Sequence, residues 1–201
     1  MIELKQKNID FFETVQSLIL LMQRLQAIKS LVNDSLLEVE HLITQQLDSP
    51  VSLIKEISQH LINAGGKRIR PLLVLLVGGV YNNPKKINVL LATTMELIHA
   101  ATLLHDDVVD NSQMRRNEST ANAIWDNAAS VLVGDFLYSR AFQLLVSLEQ
   151  KKILEMLAEA TNTIATGEIL QLQNRFNLKI NEVDYLEMLQ YKTGSLFAAA
   201  T

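Results

Sequence analysis

Along most of the chain, apolar residues return every three or four positions, the spacing of a helix that turns one face to a core. Residues 1 to about 30 carry Phe11, Phe12, Val15, Leu18, Ile19 and Met22 at such spacing. Asn33-Asp34-Ser35 offers capping side chains before Leu36, Leu37, Val39, Leu42, Ile43 and Leu47, and that pattern stops at Asp48-Ser49-Pro50. A shorter helix is expected from Val51 to Asn63, closed by Ala64-Gly65-Gly66. Leu72 to Val80 is almost wholly apolar and reads as a helix buried on every side. After Tyr81-Asn82-Asn83-Pro84, with Asn83 as cap and Pro84 in the first turn, a long helix carries Ile87, Leu90, Leu91, Met95, Leu97 and Ile98 forward to an acidic end. Residues 111 to 120 read as a polar connection, 121 to 142 and 151 to 177 as further helices, and 191 to 197 as a last patterned segment.

Composition narrows this to an all-α fold. With 48% hydrophobic and 20% charged residues, 201 residues can bury one sizeable core, and only seven Gly and three Pro interrupt the helical pattern. A net charge of −4 gives no general attraction to nucleic acid or anionic lipid, so local basic clusters carry more information than the total. The absence of cysteine excludes disulfides, thiolate metal sites and cysteine nucleophiles, and fits a cytoplasmic location. The apolar run at residues 17 to 22 is interrupted by Gln23 and Arg24, too soon for a membrane span.

The chemistry concentrates in His99-Ala100-Ala101-Thr102-Leu103-Leu104-His105-Asp106-Asp107-Val108-Val109-Asp110. Helical geometry sets Asp110 beside both Asp106 and Asp107, with His99 further back on the same stripe, so the carboxylates are expected to converge. Clustered like charges need cations, and hard oxygen donors suit Mg²⁺ shared with substrate phosphates. Upstream, Lys67-Arg68-Ile69-Arg70 follows the two glycines and precedes Pro71. Backbone amides, a helix N-terminus and guanidinium forks at such a break favour a diphosphate.

The motifs Gly65-Gly66-Lys67-Arg68-Ile69-Arg70-Pro71, His105-Asp106-Asp107-Val108-Val109-Asp110 and Arg115-Arg116 together resemble the trans-polyprenyl diphosphate synthases, and most closely their bacterial octaprenyl type. The resemblance runs from about residue 31 to the end, leaving residues 1–30 as an extra helical segment, a partner-binding arm or a product of how the chain start is assigned. It implies an isoprenoid-synthase bundle of antiparallel helices around a central cavity, working as a homodimer. It implies a prenyltransferase that condenses an allylic diphosphate such as farnesyl diphosphate with isopentenyl diphosphate to make long all-trans chains for quinones. Asp106, Asp107 and Asp110 would hold Mg²⁺. Arg115, Lys192 and Thr193 would bind the allylic diphosphate, and Lys67, Arg70, His99 and Arg116 the isopentenyl diphosphate. Gln171 would line the cavity. The small residues Ala101 and Thr102, just before the acidic motif, would leave the cavity floor open for a long product. His105 and Asp135 are assigned structural roles.

Three departures qualify the resemblance. Asn117 stands where the family has Gly after the arginine pair, and Gly194 where it has Ala. Of nine aspartates only Asp106 and Asp107 are adjacent, so the family's second aspartate-rich motif is missing. The chain also stops at Ala198-Ala199-Ala200-Thr201 with no capping residue. These features point to the N-terminal part of a longer synthase, inactive alone. Two rivals stand beside that reading: a non-catalytic subunit of a heteromeric synthase, and a terpene cyclase, against which the basic diphosphate motifs argue.

Overall fold

In a computed structural model, residues 20 and 22–201 are described, and the expected helix over residues 1 to about 30 falls mostly outside them. The chain forms two compact units, Met1–Asp34 and Ser35–Thr201. In the first, residues 22–30 are helical and a turn at residues 31 and 32 leads into α1 (Asn33–Gln46). The expected capping residues thus lie inside the first turn of α1.

The second unit is helical apart from one small hairpin. After α1 come α2 (Ser52–Asn63), α3 (Ile69–Val80) and α4 (Lys85–Val109). Then follow strands β1 (Met114–Arg115) and β2 (Glu118–Ser119), and helices α5 (Ala121–Ile124), α6 (Asn127–Ser147), α7 (Lys151–Asn174) and α8 (Glu182–Leu189). A π-helical segment, Gln190–Gly194, joins α8 to α9 (Ser195–Ala199) without a break. Pro84 is the N-cap of α4 and Pro71 lies inside the first turn of α3. α3 is buried along one face only, through Pro71, Leu72, Val74, Leu75 and Gly78, while Val80 is exposed. Its apolar sequence overstated its burial.

α4 is the central helix. Ala92, Met95, Leu97, Ile98, Ala101 and Leu104 are fully enclosed, and the helix packs against α3 on one side and α6 on another. Burying these side chains removes apolar surface from water at about 25 cal/mol per Å². α4 and α6 are each long and apolar enough to cross a bilayer by composition alone, but two-thirds of the relevant α4 window is buried inside the bundle. Gly134 makes the α4–α6 approach possible: a Cβ there would sit 2.2 Å from His105 Nε2. The Nε2 of His105 lies 3.1 Å from the Val131 carbonyl and 3.4 Å from Asp135, and its ring stacks on Tyr138.

The expected polar connection after α4 contains the hairpin. Met114 pairs with Ser119 and Arg115 with Glu118, leaving a two-residue loop of Arg116 and Asn117. Both have positive φ, 54° and 69°, as the tight turn of a right-twisted ribbon requires. Asn117 therefore keeps the turn without glycine, asparagine being among the residues that accept this conformation most readily.

Candidate active site

The end of α4 presents its acids unequally. Asp107 is 3% exposed, and both of its carboxylate oxygens accept from Arg115: Nε donates at 3.0 and 3.1 Å and Nη2 at 2.8 Å. The β1 strand positions Arg115 for this fork-to-fork contact. Asp110 caps the helix and is exposed. Asp106 points toward α7 and the π-helical segment, where Lys192 Nζ lies 3.6 Å away and also donates to Glu168 Oε2 at 2.7 Å. Gly167 lets these elements meet, since a Cβ on it would lie 2.5 Å from the Lys192 backbone nitrogen.

The charges register this crowding. Burial pushes the Asp106 carboxyl up to about 6, with Glu168 and then Asp110 adding repulsion that Lys192 and Arg115 only partly offset. Burial by itself would lower Lys192, but its hydrogen bond to Glu168 and the field of Asp106 raise it on balance. Burial, then Asp106 and Glu168, also raise the Tyr138 phenol to about 12.

The basic motif is built where α2 ends. Gly65 has φ 74° and Arg68 φ 51°, so the backbone passes twice through the left-handed region before α3 begins. Arg68 holds this unusual conformation through two carboxylates: Nε donates to Glu40 and Nη1 to Glu96, each at 2.6 Å. It therefore acts as an internal brace, a paired member of the basic cluster whose side chain still borders the cavity described next. Its neighbours behave differently. Lys67, Arg70 and Arg116 make no ion pair within 4 Å among the described residues, and with Glu96, His99 and Phe197 they line a cavity of about 520 Å³. Burial, followed by the fields of Arg70, Arg116, Arg115 and Arg68, drives the His99 imidazole down to about 3, so the ring is neutral at any physiological pH.

A second, smaller cavity of about 170 Å³ adjoins the first and shares Arg70 and His99 with it. Thr102, Asp106, Glu168, Lys192 and Thr193 complete much of its wall. Thus Lys67, Arg70, His99 and Arg116 gather at one cavity, and Asp106, Lys192, Thr193 and Thr102 at the next.

Three of the expected site residues, Asp107, Ala101 and Gln171, line neither cavity. Asp107 is buried with its oxygens held by Arg115, while Asp106 and Asp110 also act on the same Arg115 guanidinium. Ala101 is fully buried in the α4 core and lines neither cavity. Gln171 is half-buried and lines neither one, whereas Glu168, one turn earlier on α7, faces the smaller. Sequence reasoning also missed Glu96, although a lone acid three residues before His99 in an apolar helix was the available signal. No group of three or more His, Asp or Glu among the described residues is placed to enclose a metal ion. The hard oxygen donors Asp106 and Asp110, whose mutual repulsion raises Asp106, nonetheless fit a divalent cation that takes its remaining ligands from water and a diphosphate.

Comparison with known proteins identifies the scaffold. Residues 51–201 match the family model for polyprenyl synthetase. The octaprenyl diphosphate synthase of Escherichia coli strain K12 is 47% identical over 176 residues, which is 88% of this chain and 54% of that protein. The crystal structure of a decaprenyl diphosphate synthase from Rhodobacter capsulatus superposes with a TM-score of 0.85 at 43% identity, covering 88% of this chain and 55% of that one. A polyprenyl synthase from Caulobacter crescentus CB15, complexed with calcium and isoprenyl diphosphate, gives a TM-score of 0.85 at 45% identity over 88% and 54% of the two chains. The chain spans about half the length of the relatives it matches. A left-handed brace at Arg68, a helix-borne aspartate end and a lysine returning across the cavity from a π turn are thus arranged on the shared scaffold, and the chain belongs to the polyprenyl synthetase family.

Proposed function

We propose that this chain supplies the diphosphate-binding portion of a trans-polyprenyl diphosphate synthase, which extends an allylic diphosphate with isopentenyl diphosphate to a long all-trans product for quinone side chains. The observation that carries the reading is the pair of adjoining cavities, one lined by Asp106, Glu168 and Lys192 and the other by Lys67, Arg70 and Arg116, with Arg70 and His99 between them. Two diphosphates held so close would bring a leaving group and an acceptor double bond into one volume.

In this reading the allylic diphosphate lies against Lys192, Thr193 and Arg115. Lys192, protonated and already desolvated, donates to the diphosphate as the allylic C–O bond breaks and the bonding pair leaves with oxygen. A divalent cation, proposed to be Mg²⁺ held by Asp106 and Asp110, would neutralise the leaving diphosphate when bound. Asp107 acts through Arg115, fixing its guanidinium. Lys67, Arg70 and Arg116 hold the isopentenyl diphosphate as its double bond attacks the allylic carbon, and loss of a proton completes the new alkene. His99 stays neutral and can donate one N–H without adding charge. Thr102 lies where a growing chain would start its descent. A homodimer in the cytoplasm is part of the same proposal.

Isothermal titration of the 201-residue chain with isopentenyl diphosphate tests the reading. Binding should be lost with Arg70→Met. Titration with farnesyl diphosphate and Mg²⁺ should show binding that depends on Asp106. Absence of both would overturn it. Incorporation of radiolabelled isopentenyl diphosphate should remain absent in this chain alone, which lacks the second aspartate-rich motif.

A further inference from the structure

The cations of the larger cavity are restrained in an unexpected way. Arg68 is gripped by two carboxylates, but Arg70, two residues later, has none within ion-pairing distance among the described residues. Its Nε is buried and makes no hydrogen bond. Glu96 lines the same cavity, yet its Oε1 already accepts from Arg68 at 2.6 Å. Burial accordingly lowers the Arg70 pKa, with Glu96 only partly compensating.

One contact does hold the group. The Arg70 guanidinium carbon lies 4.5 Å from the centroid of the Phe197 ring, well within cation–π range. Phe197 stands on α9, five residues after Lys192, so the ring joins the segment bearing Lys192 and Thr193 to the wall shared by the two cavities.

We propose that Phe197 is a positioning residue for the larger, basic cavity, its ring fixing the Arg70 guanidinium toward a diphosphate without setting a carboxylate against it. A carboxylate in the same place would hold the arginine equally well and cancel the charge that attracts the anion. An aliphatic residue would leave the charge intact but release the long side chain, whose ordering the ligand would then have to supply. The proposal rests on the diphosphate reading of that cavity.

The test uses inorganic diphosphate as probe and the full 201-residue chain, with affinity read by calorimetry and folding by thermal unfolding. Phe197→Leu should weaken diphosphate binding about fivefold to tenfold, a loss within the range of a partly desolvated cation–π contact. Phe197→Tyr should restore affinity to within about twofold, since its ring keeps a negative face. Phe197→pentafluorophenylalanine preserves the ring's shape but removes that negative face, and should behave like Phe197→Leu. This variant keeps the question answerable if leucine disturbs folding. Should Arg70→Met leave diphosphate affinity unchanged, the reading of the cavity itself fails. If Arg70→Met weakens binding while the fluorinated ring binds as tightly as the native one, the cavity stands and the role given to Phe197 is overturned.

Discussion

At the acidic end of α4, Asp107 is closed by the two-pronged contact with Arg115, and Asp106 shares Lys192 with Glu168. Around Lys67, Arg70 and Arg116, which come from the loop before α3, from α3 and from the hairpin, the acid lining the cavity is Glu96, and it is occupied by Arg68. The acidic region is thus organised by cations from other parts of the chain, whereas the basic region keeps its cations uncompensated and holds them by backbone shape and an aromatic face. The difference teaches what each can receive: the first has cations that can turn to a new anion, and the second has positive charge ready for one.

The largest expected effect separates two arginines that look equivalent in sequence. Arg68→Met strands Glu96, only 7% exposed, without its cation, and should cost about 3–5 kcal/mol in urea unfolding. Arg70→Met should cost little stability while abolishing diphosphate binding. Equal stability losses for the two would erase the contrast.

Acid should expose the basic region next. His99 is held at about 3 in the folded chain against an ordinary 6.5, so the unfolded chain takes up the proton first. Its contribution is complete above about pH 6.5 and is lost as pH falls toward 3. A stability profile across that window should steepen by about 2–4 kcal/mol relative to His99→Gln, which lacks this group.

The acidic region should show the opposite sign. Asp106 titrates near 6 when folded and near 3.8 when unfolded, so its ionisation costs stability as pH rises through that interval. Without metal, Asp106→Asn should therefore be more stable than the native chain by about 1–2 kcal/mol at pH 7.5, and indistinguishable from it below pH 4. A destabilised variant at neutral pH would mean that the contact with Lys192 outweighs burial of the charge.

The smallest effect provides a control in the segment that faces both regions. Gly194 has φ −64°, and an added Cβ would meet only the Gln190 side chain, at 3.5 Å. Gly194→Ala should raise stability by about 0.5–1 kcal/mol in thermal unfolding, by restricting the unfolded chain, and leave diphosphate affinity untouched.

The long helices were legible because their cores are periodic: α4 and α7 follow their apolar spacing closely, and the glycine break before α3 announced a sharp change of direction. The basic and acidic motifs were legible as clusters. Which member of each cluster is held in an ion pair and which is left without one was not, because that depends on partners far along the chain. Arg68 meets Glu40 and Glu96, each 28 residues away, and Lys192 meets Glu168 from 24 residues away. Asp107 and Asp106 are neighbours in sequence, but about 100° of helical rotation sends one inward and the other across the cavity. The hairpin escaped notice since two-residue strands are too short to show any alternation. The π-helical turn has no compositional mark at all.

The amide of Ser195 donates to the carbonyl of Gln190, five residues back, so one more residue is accommodated than a regular helical turn would take. One additional residue is a phase advance of about 100° for everything that follows. Leu196 is thereby directed into the core and Phe197 onto Arg70, while Lys192, before the end of the insertion, keeps its own heading toward Glu168. The segment works as a gear tooth between two stretches of helix. Deleting a single residue within it, even one with no contact of its own, would rotate Phe197 off its arginine as effectively as replacing the ring.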